Sequence, residues 1–345
     1  MKSEQVEFYI ILPNSELESW VRWMWADAEE RAVLFLNNTM INNNFLVQLK
    51  KAHFSNKWNK HIWIPMKTIW DNTYPIKPEM LDKGKVIYII FHSGIKFSPS
   101  FLRGLKREYR IQTILYLPDT LAGLNIAHNE KEWERYKRHY EIDQVYSFDM
   151  EDCKKYGLKF FDFYSVTNLL PGHTTIDTDL FYVGSCRNPE RLKLARDVLD
   201  RVKNVMHYDF RIIGVANNEI RETDGITYNQ PMAYSEVVKQ NQCSRCILEL
   251  LNPGQHGNTL RFKEAICYNR KLLTNNPDVL QSKYYNPRWI QYFEHPDDID
   301  VSWITNDDTP NFQYNGEFSP LRLLDIIENH INNCHNCNHR HIIHI

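Results

Sequence analysis

The chain opens with short runs that are apolar throughout, separated by longer stretches with helical spacing. Phe8 to Leu12, Ala32 to Leu36, His61 to Ile64, Val86 to Phe91, Thr113 to Leu117 and Gln144 to Phe148 are such runs. Continuous rather than alternating hydrophobicity marks strands buried on both faces of a parallel sheet. Between them, Ser15 to Glu30, Pro99 to Tyr109 and Lys131 to Tyr140 repeat apolar positions at helical intervals. Strands alternating with helices predict a doubly wound α/β domain. Both periods break at Ser165 to Thr178, where Leu170-Pro171-Gly172-His173-Thr174-Thr175 reads as a domain boundary. A second α/β set follows, with strands at Asp179 to Val183, Arg211 to Val215, Ile247 to Leu251 and Lys271 to Thr274, and helices over Asn188 to Val205 and Met232 to Asn241. The pattern predicts a Rossmann-like domain over 1–168, a second over 169–320, and a terminal amphipathic helix and polar tail over 321–345.

The richest stretch runs from Cys243 to Asn276. After the apolar run ending at Leu251, Asn252-Pro253-Gly254-Gln255-His256-Gly257 is turn-rich, and Asn258 or Thr259 can cap a helix carrying Leu260, Phe262, Ala265 and Ile266 on one face until Asn269. Open α/β sheets bind ligands at the carboxyl ends of their strands. Helix N-termini favour anions, so phosphate is the expected guest. Arg261, Lys263 and Glu264, in the first two turns, add a charged clamp and a hydroxyl acceptor. Gly184-Ser185, after the first strand of this half, can admit a diphosphate to the backbone, or the glycine can simply permit the turn. In the first half, His92-Ser93-Gly94, Pro118-Asp119-Thr120 and Phe148-Asp149 follow buried strands. His92 and Asp119 are the acid/base candidates, against the readings of a backbone-satisfied histidine and a turn aspartate.

Composition narrows the picture. With 345 residues and 43% hydrophobic content, two cores of ordinary size can form. A net charge of -2 argues against nucleic acid as a partner. The chain shows no signal-peptide pattern and no apolar run of membrane-spanning length, so a cytoplasmic protein is expected. Seven cysteines, an odd number, fit reduced thiols. Cys243 with Cys246, and Cys334 with Cys337 near His335, His339 and His341, have zinc-ligand spacing, but a buried strand position and a polar terminus account for them, and no metal is expected. Asp297, Asp298 and Asp300 read as an acidic helix start. Basic and aromatic residues interleave at Arg103, Lys106, Arg107, Tyr109 and Arg110, and again from Lys131 to Tyr140. Such segments suit peripheral contact with the inner membrane surface, or are solvated helix faces.

Tyr182-Val183-Gly184-Ser185, Pro231-Met232-Ala233-Tyr234, Cys246-Ile247-Leu248-Glu249, the run Gln255 to Ala265 and Leu273-Thr274-Asn275-Asn276 together resemble bacterial glycosyltransferases of the GT-B fold, more narrowly those of lipopolysaccharide, capsule and exopolysaccharide pathways. In the first half, Tyr116-Leu117-Pro118-Asp119, Tyr146-Ser147-Phe148-Asp149 and Lys155-Tyr156-Gly157-Leu158 are similar to the acceptor-side half of that group. The resemblance implies two Rossmann-like domains facing a cleft, a nucleotide-diphosphate sugar as donor, a glycan or lipid-linked acceptor, and no bound cofactor or metal. The donor-binding candidates it implies are Gly184, Ser185, Glu249, His256, Gly257, Asn258, Thr259, Arg261 and Glu264. Many retaining members carry two glutamates eight positions apart here. In this chain His256 stands eight before Glu264, which leaves inversion open, with His92 or Asp119 as base. A nucleotide-sugar epimerase or hydrolase, and a non-catalytic glycan- or nucleotide-binding module, are the competing readings on the same scaffold.

Overall fold

Runs that are apolar on both faces pair side by side, as burial in a parallel sheet requires. In the first unit β1 (Val6–Leu12), β2 (Ala32–Leu36), β3 (Val86–His92), β4 (Arg110–Leu117), β5 (Gln144–Ser147) and β6 (Lys159–Phe160) form a six-stranded sheet in the order β2-β1-β3-β4-β5-β6, every pair parallel. β7 (Thr178–Ser185), β8 (Tyr208–Ile213), β9 (Ile226–Tyr228), β10 (Ser244–Glu249), β11 (Lys271–Thr274) and β12 (Ile290–Tyr292) form the second, also parallel, in the order β12-β11-β10-β7-β8-β9. The computed structural model describes residues 5–13, 19–37, 41, 43–163, 175–186, 188–252 and 257–338. It divides into two compact units, Met1–Ser165 with Phe318–Ile345, and Val166–Glu317. The expected domain boundary at 165–178 falls largely outside the described residues.

Each sheet reverses its strand order once. In the first the chain steps from β1 to edge strand β2 and then crosses back to β3, so the reversal lies between β1 and β3. In the second it lies between β7 and β10. Such points leave a crevice at the strands' carboxyl ends. Rigidity there comes from burial: all seven residues of β3 are buried, and each large apolar side chain among them contributes about 1.5–3 kcal/mol.

Three departures from the sequence pattern matter. His61 to Ile64 forms no strand. The amides of His61 and Ile62 return to the Trp58 carbonyl, that of Ile64 donates to the Asn59 side chain, and Pro65, which follows, has no amide to offer a ladder. Instead the region holds a short helix, Asn56–Asn59, and a 3-10 turn, Lys67–Thr73. Second, the basic–aromatic helix Glu130–Tyr140 turns its aromatic residues inward: Trp133 and Tyr140 are buried, and the Tyr136 hydroxyl accepts the Ile95 amide at 3.0 Å. Lys106, in the other basic segment, donates to the Asp143 carboxylate at 2.6 Å. The aromatic rings of Glu130–Tyr140 are therefore core residues, not headgroup anchors. Third, the terminal helix Pro320–Asn338 packs on the first unit, burying Leu323, Leu324 and Ile327 while Arg31 donates to Asp325 at 2.5 Å and Glu328 at 2.6 Å.

Cys153, Cys186, Cys243, Cys246 and Cys267 are free thiols. The Cys334 and Cys337 side chains and His339 to His341 lie outside the described residues. Among the described residues no helix is long and apolar enough to cross a membrane, and no group of three or more His, Cys, Asp or Glu could hold a metal ion.

Candidate functional site

The second sheet's reversal point is organised by one buried carboxylate. β10 ends on Glu249, whose side chain is buried, a position that is costly unless its oxygens are hydrogen-bonded. Thr259 donates its hydroxyl to one oxygen, and Thr274, at the end of neighbouring β11, donates to the other at 2.5 Å. Each threonine oxygen in turn accepts a backbone amide, from Arg261 at 3.0 Å and from Asn276 at 2.9 Å. Glu249 therefore ties its own strand to the start of one helix and the end of the next strand. Burial pushes its carboxyl above the ordinary glutamate value, and the two threonine hydroxyls pull the other way.

Thr259 is the N-cap of the helix Leu260–Tyr268, and Asn269 stops it in the left-handed region at φ 50. A fixed cap leaves the first-turn amides of such a helix pointing outward from its end. Beside them, Arg261 donates to Glu264, and the Tyr234 hydroxyl donates to the other Glu264 oxygen at 2.9 Å. Glu264 is fully buried, so here it orients Arg261; the hydroxyl-accepting role implied for it would need those bonds to be exchanged. Gly257, at φ 82, donates its amide to Asp278 at 2.8 Å and accepts from the Asn276 side chain at 3.0 Å. Asn258 is half-buried between Gly257 and the cap, and His256 lies outside the described residues.

On the other side of the reversal point β7 ends on Gly184 and Ser185. A Cβ at Gly184 would stand 2.7 Å from the Tyr182 hydroxyl and 3.4 Å from an Arg191 nitrogen, so the glycine is needed for close approach. Arg191, in the first turn of the helix Pro189–Val202, donates to the Ser185 carbonyl at 3.1 Å, while its buried Nε has no partner among the described residues. This arginine was not among the sequence candidates. Its signal was available: a cation in the first turn of the helix that follows a strand-Gly-Ser turn. Both turns flank one crevice, with two arginines, a helix N-terminus and fixed glycines, a set of donors suited to an anion such as a diphosphate.

The first unit's candidates are placed differently from one another. His92 ends β3 beside the other reversal point, but it is buried, and the Trp25 indole N–H donates to its Nδ1 at 3.0 Å. The neutral ring therefore carries its proton on Nε2, which has no partner among the described residues. Burial pushes its pKa down to about 3. Taking a further proton would break the Trp25 bond, so the geometry corrects the expectation of His92 as a base. Asp119 is exposed; its carboxylate accepts the Thr120 amide at 2.7 Å and packs over Gly123, where a Cβ would come within 2.8 Å of it. Asp149, the third strand-end residue, caps the helix Met150–Tyr156 by accepting the Asp152 amide at 2.7 Å.

Two parallel six-stranded sheets define an α/β two-domain fold. In fold the chain is similar to a putative UDP-N-acetylglucosamine 2-epimerase from Listeria monocytogenes, with 8% identity over 95% of this chain and 97% of that one and a TM-score of 0.51. A sucrose-phosphate synthase from Thermosynechococcus elongatus, 10% identical over 97% and 99% of the two chains, gives a TM-score of 0.47. No protein-family model matches the chain, and no curated protein matches it in sequence.

Proposed function

We propose that the chain is a glycosyltransferase that moves a sugar from a nucleotide-diphosphate sugar to a glycan or glycolipid acceptor in cell-surface polysaccharide synthesis. The observation that carries this reading is the Glu249 tie, which fixes the Thr259 cap and Arg261 at the second sheet's reversal point. The donor diphosphate is assigned to the first-turn amides of Leu260–Tyr268, Arg261 and the Gly184-Ser185 turn, where charge developing on the leaving group would be stabilised by donors already in place. The acceptor side is assigned to the first unit. In an inverting transfer the acceptor oxygen bonds to the anomeric carbon as the bond to the diphosphate breaks, and Asp119 takes the hydroxyl proton.

Arg261→Ala is expected to weaken nucleoside-diphosphate binding by about 1.5–3 kcal/mol, the range for a charge-assisted hydrogen bond, with Arg261→Lys retaining part of it. Calorimetric titration measures this, and unchanged affinity in the alanine variant would move the donor elsewhere. Asp119→Asn is expected to lower turnover by roughly 10²- to 10⁴-fold with donor affinity kept. Near-normal transfer would remove Asp119 as base.

A second reading, a nucleotide-sugar epimerase, is favoured by the fold shared with the Listeria monocytogenes structure. Incubation with a panel of nucleotide sugars separates the two: transfer only when acceptor is added supports the first, and acceptor-independent change of the sugar supports the second.

A further inference from the structure

One recess in the first unit takes no part in the site described above. It lies between the helix Glu130–Tyr140 and the short helix Asn56–Asn59 with the segment that follows it, and holds about 510 Å³ of empty space, part of it open to solvent. Sites for small molecules span roughly 300–1,000 Å³ and combine an apolar wall with a few placed polar groups. Here the wall is aromatic: Trp63, Tyr136 and Tyr140 line it together with Ile126. The wall is held in place. The Lys67 ammonium lies 4.3 Å from the Trp63 ring, the Trp63 and Tyr140 rings are 6.1 Å apart, and the Ile95 amide fixes the Tyr136 hydroxyl.

The polar groups of the lining decide the ligand. Glu132 accepts the His128 amide through one oxygen at 2.8 Å, a bond that holds its carboxyl below the ordinary glutamate value, and its other oxygen has no hydrogen bond among the described residues. Lys60 reaches His128 at 2.5 Å beside it, so this ammonium and the Glu132 carboxylate offset one another. Glu134 pairs with Lys137 at 2.6 Å. Arg135 is thereby left in the lining with no hydrogen-bond or ion-pair partner among the described residues. Burial, with the cations Arg103, Lys67 and Arg135 nearby, holds His139 below the ordinary histidine value, so its neutral ring offers one donor and one acceptor nitrogen. A sugar carrying a carboxylate matches this set: its C–H face meets the aromatic wall, its hydroxyls meet Glu132 and His139, and its carboxylate meets the guanidinium fork. A flat aromatic acid would leave Glu132 and His139 unused, and inorganic phosphate would leave the wall unused.

We propose that the recess between Asn56–Asn59 and Glu130–Tyr140 binds a carboxylate-bearing sugar, with its ring on Trp63, its carboxylate on Arg135 and its hydroxyls on Glu132 and His139. The inference rests on the glycosyltransferase reading only in taking that sugar as part of the acceptor glycan; binding is measured without donor, so its failure leaves the donor site standing. Calorimetric titration of the full chain with methyl glucuronide, methyl glucoside and benzoate is the test. The glucuronide is expected to bind about tenfold more tightly than the neutral glucoside, and Arg135→Gln to remove that preference. Trp63→Leu should weaken both sugars at least about tenfold. Thermal unfolding reports folding in each variant, and the exposed Arg135 carries the test if the Trp63 variant misfolds. Absence of saturable glucuronide binding, equal affinity for the two sugars, or a preference kept in Arg135→Gln overturns the proposal. Benzoate binding as tightly as the glucuronide would overturn it in favour of a site for flat aromatic acids.

Discussion

Lowering the pH from 7 to 4.5 is expected to remove about 2–3 kcal/mol of unfolding free energy through His92 alone. The folded ring is held neutral, its pKa pushed down to about 3 by burial, while the unfolded side chain titrates near 6.5. Above 6.5 neither state is protonated at this position and the group has no pH effect. As pH falls from 6.5 toward 3 only the unfolded state takes the proton, so stability is lost across that window and the loss levels off below it. Urea unfolding of the parent and of His92→Gln, whose amide oxygen can still accept the Trp25 N–H, isolates the effect from that of the carboxylates. The parent should lose more stability than the variant by the amount above, and parallel pH profiles would mean that the folded ring is accessible to protons.

Glu249→Ala is expected to cost about 2–4 kcal/mol of stability, because the Thr259 and Thr274 hydroxyls lose their acceptor in a buried setting. The loss is smaller than two charge-assisted bonds would suggest, since the alanine also relieves the burial cost that raises the Glu249 pKa. Glu249→Gln keeps the shape and should cost less. Nucleotide affinity should fall in the alanine variant as well, because Thr259 and Arg261 would no longer be held together at the helix start. Denaturant unfolding combined with calorimetry measures both, and a variant with parental stability and affinity would show that the tie contributes neither.

The continuous apolar runs made the parallel sheets legible, and Lys271 to Thr274 and Ala32 to Leu36 form strands with the expected bounds. Short edge strands such as Lys159–Phe160 and Ile290–Tyr292 escaped because two or three residues carry no period. His61 to Ile64 misled for the opposite reason: an apolar run implies burial, and Ile62 is exposed. Thr259 and Asn269 could be read as caps from residue type and position. The pairing of Glu249 with Thr259 and Thr274 could not, since it joins residues ten and 25 positions apart through the fold. The inward turn of Trp133 and Tyr140 was hidden by the charged residues interleaved with them.

The terminal helix gives the chain an unusual order of assembly. Residues 166–317 form one unit from a continuous segment, whereas the first unit draws on both ends of the chain. During synthesis the second unit has all of its sequence before the helix carrying Leu323, Leu324 and Ile327 exists. The first-unit surface that this helix covers must therefore wait in water while the intervening residues are made. A ribosome pausing after residue 317 would present the first unit with its last apolar surface still open to chaperones.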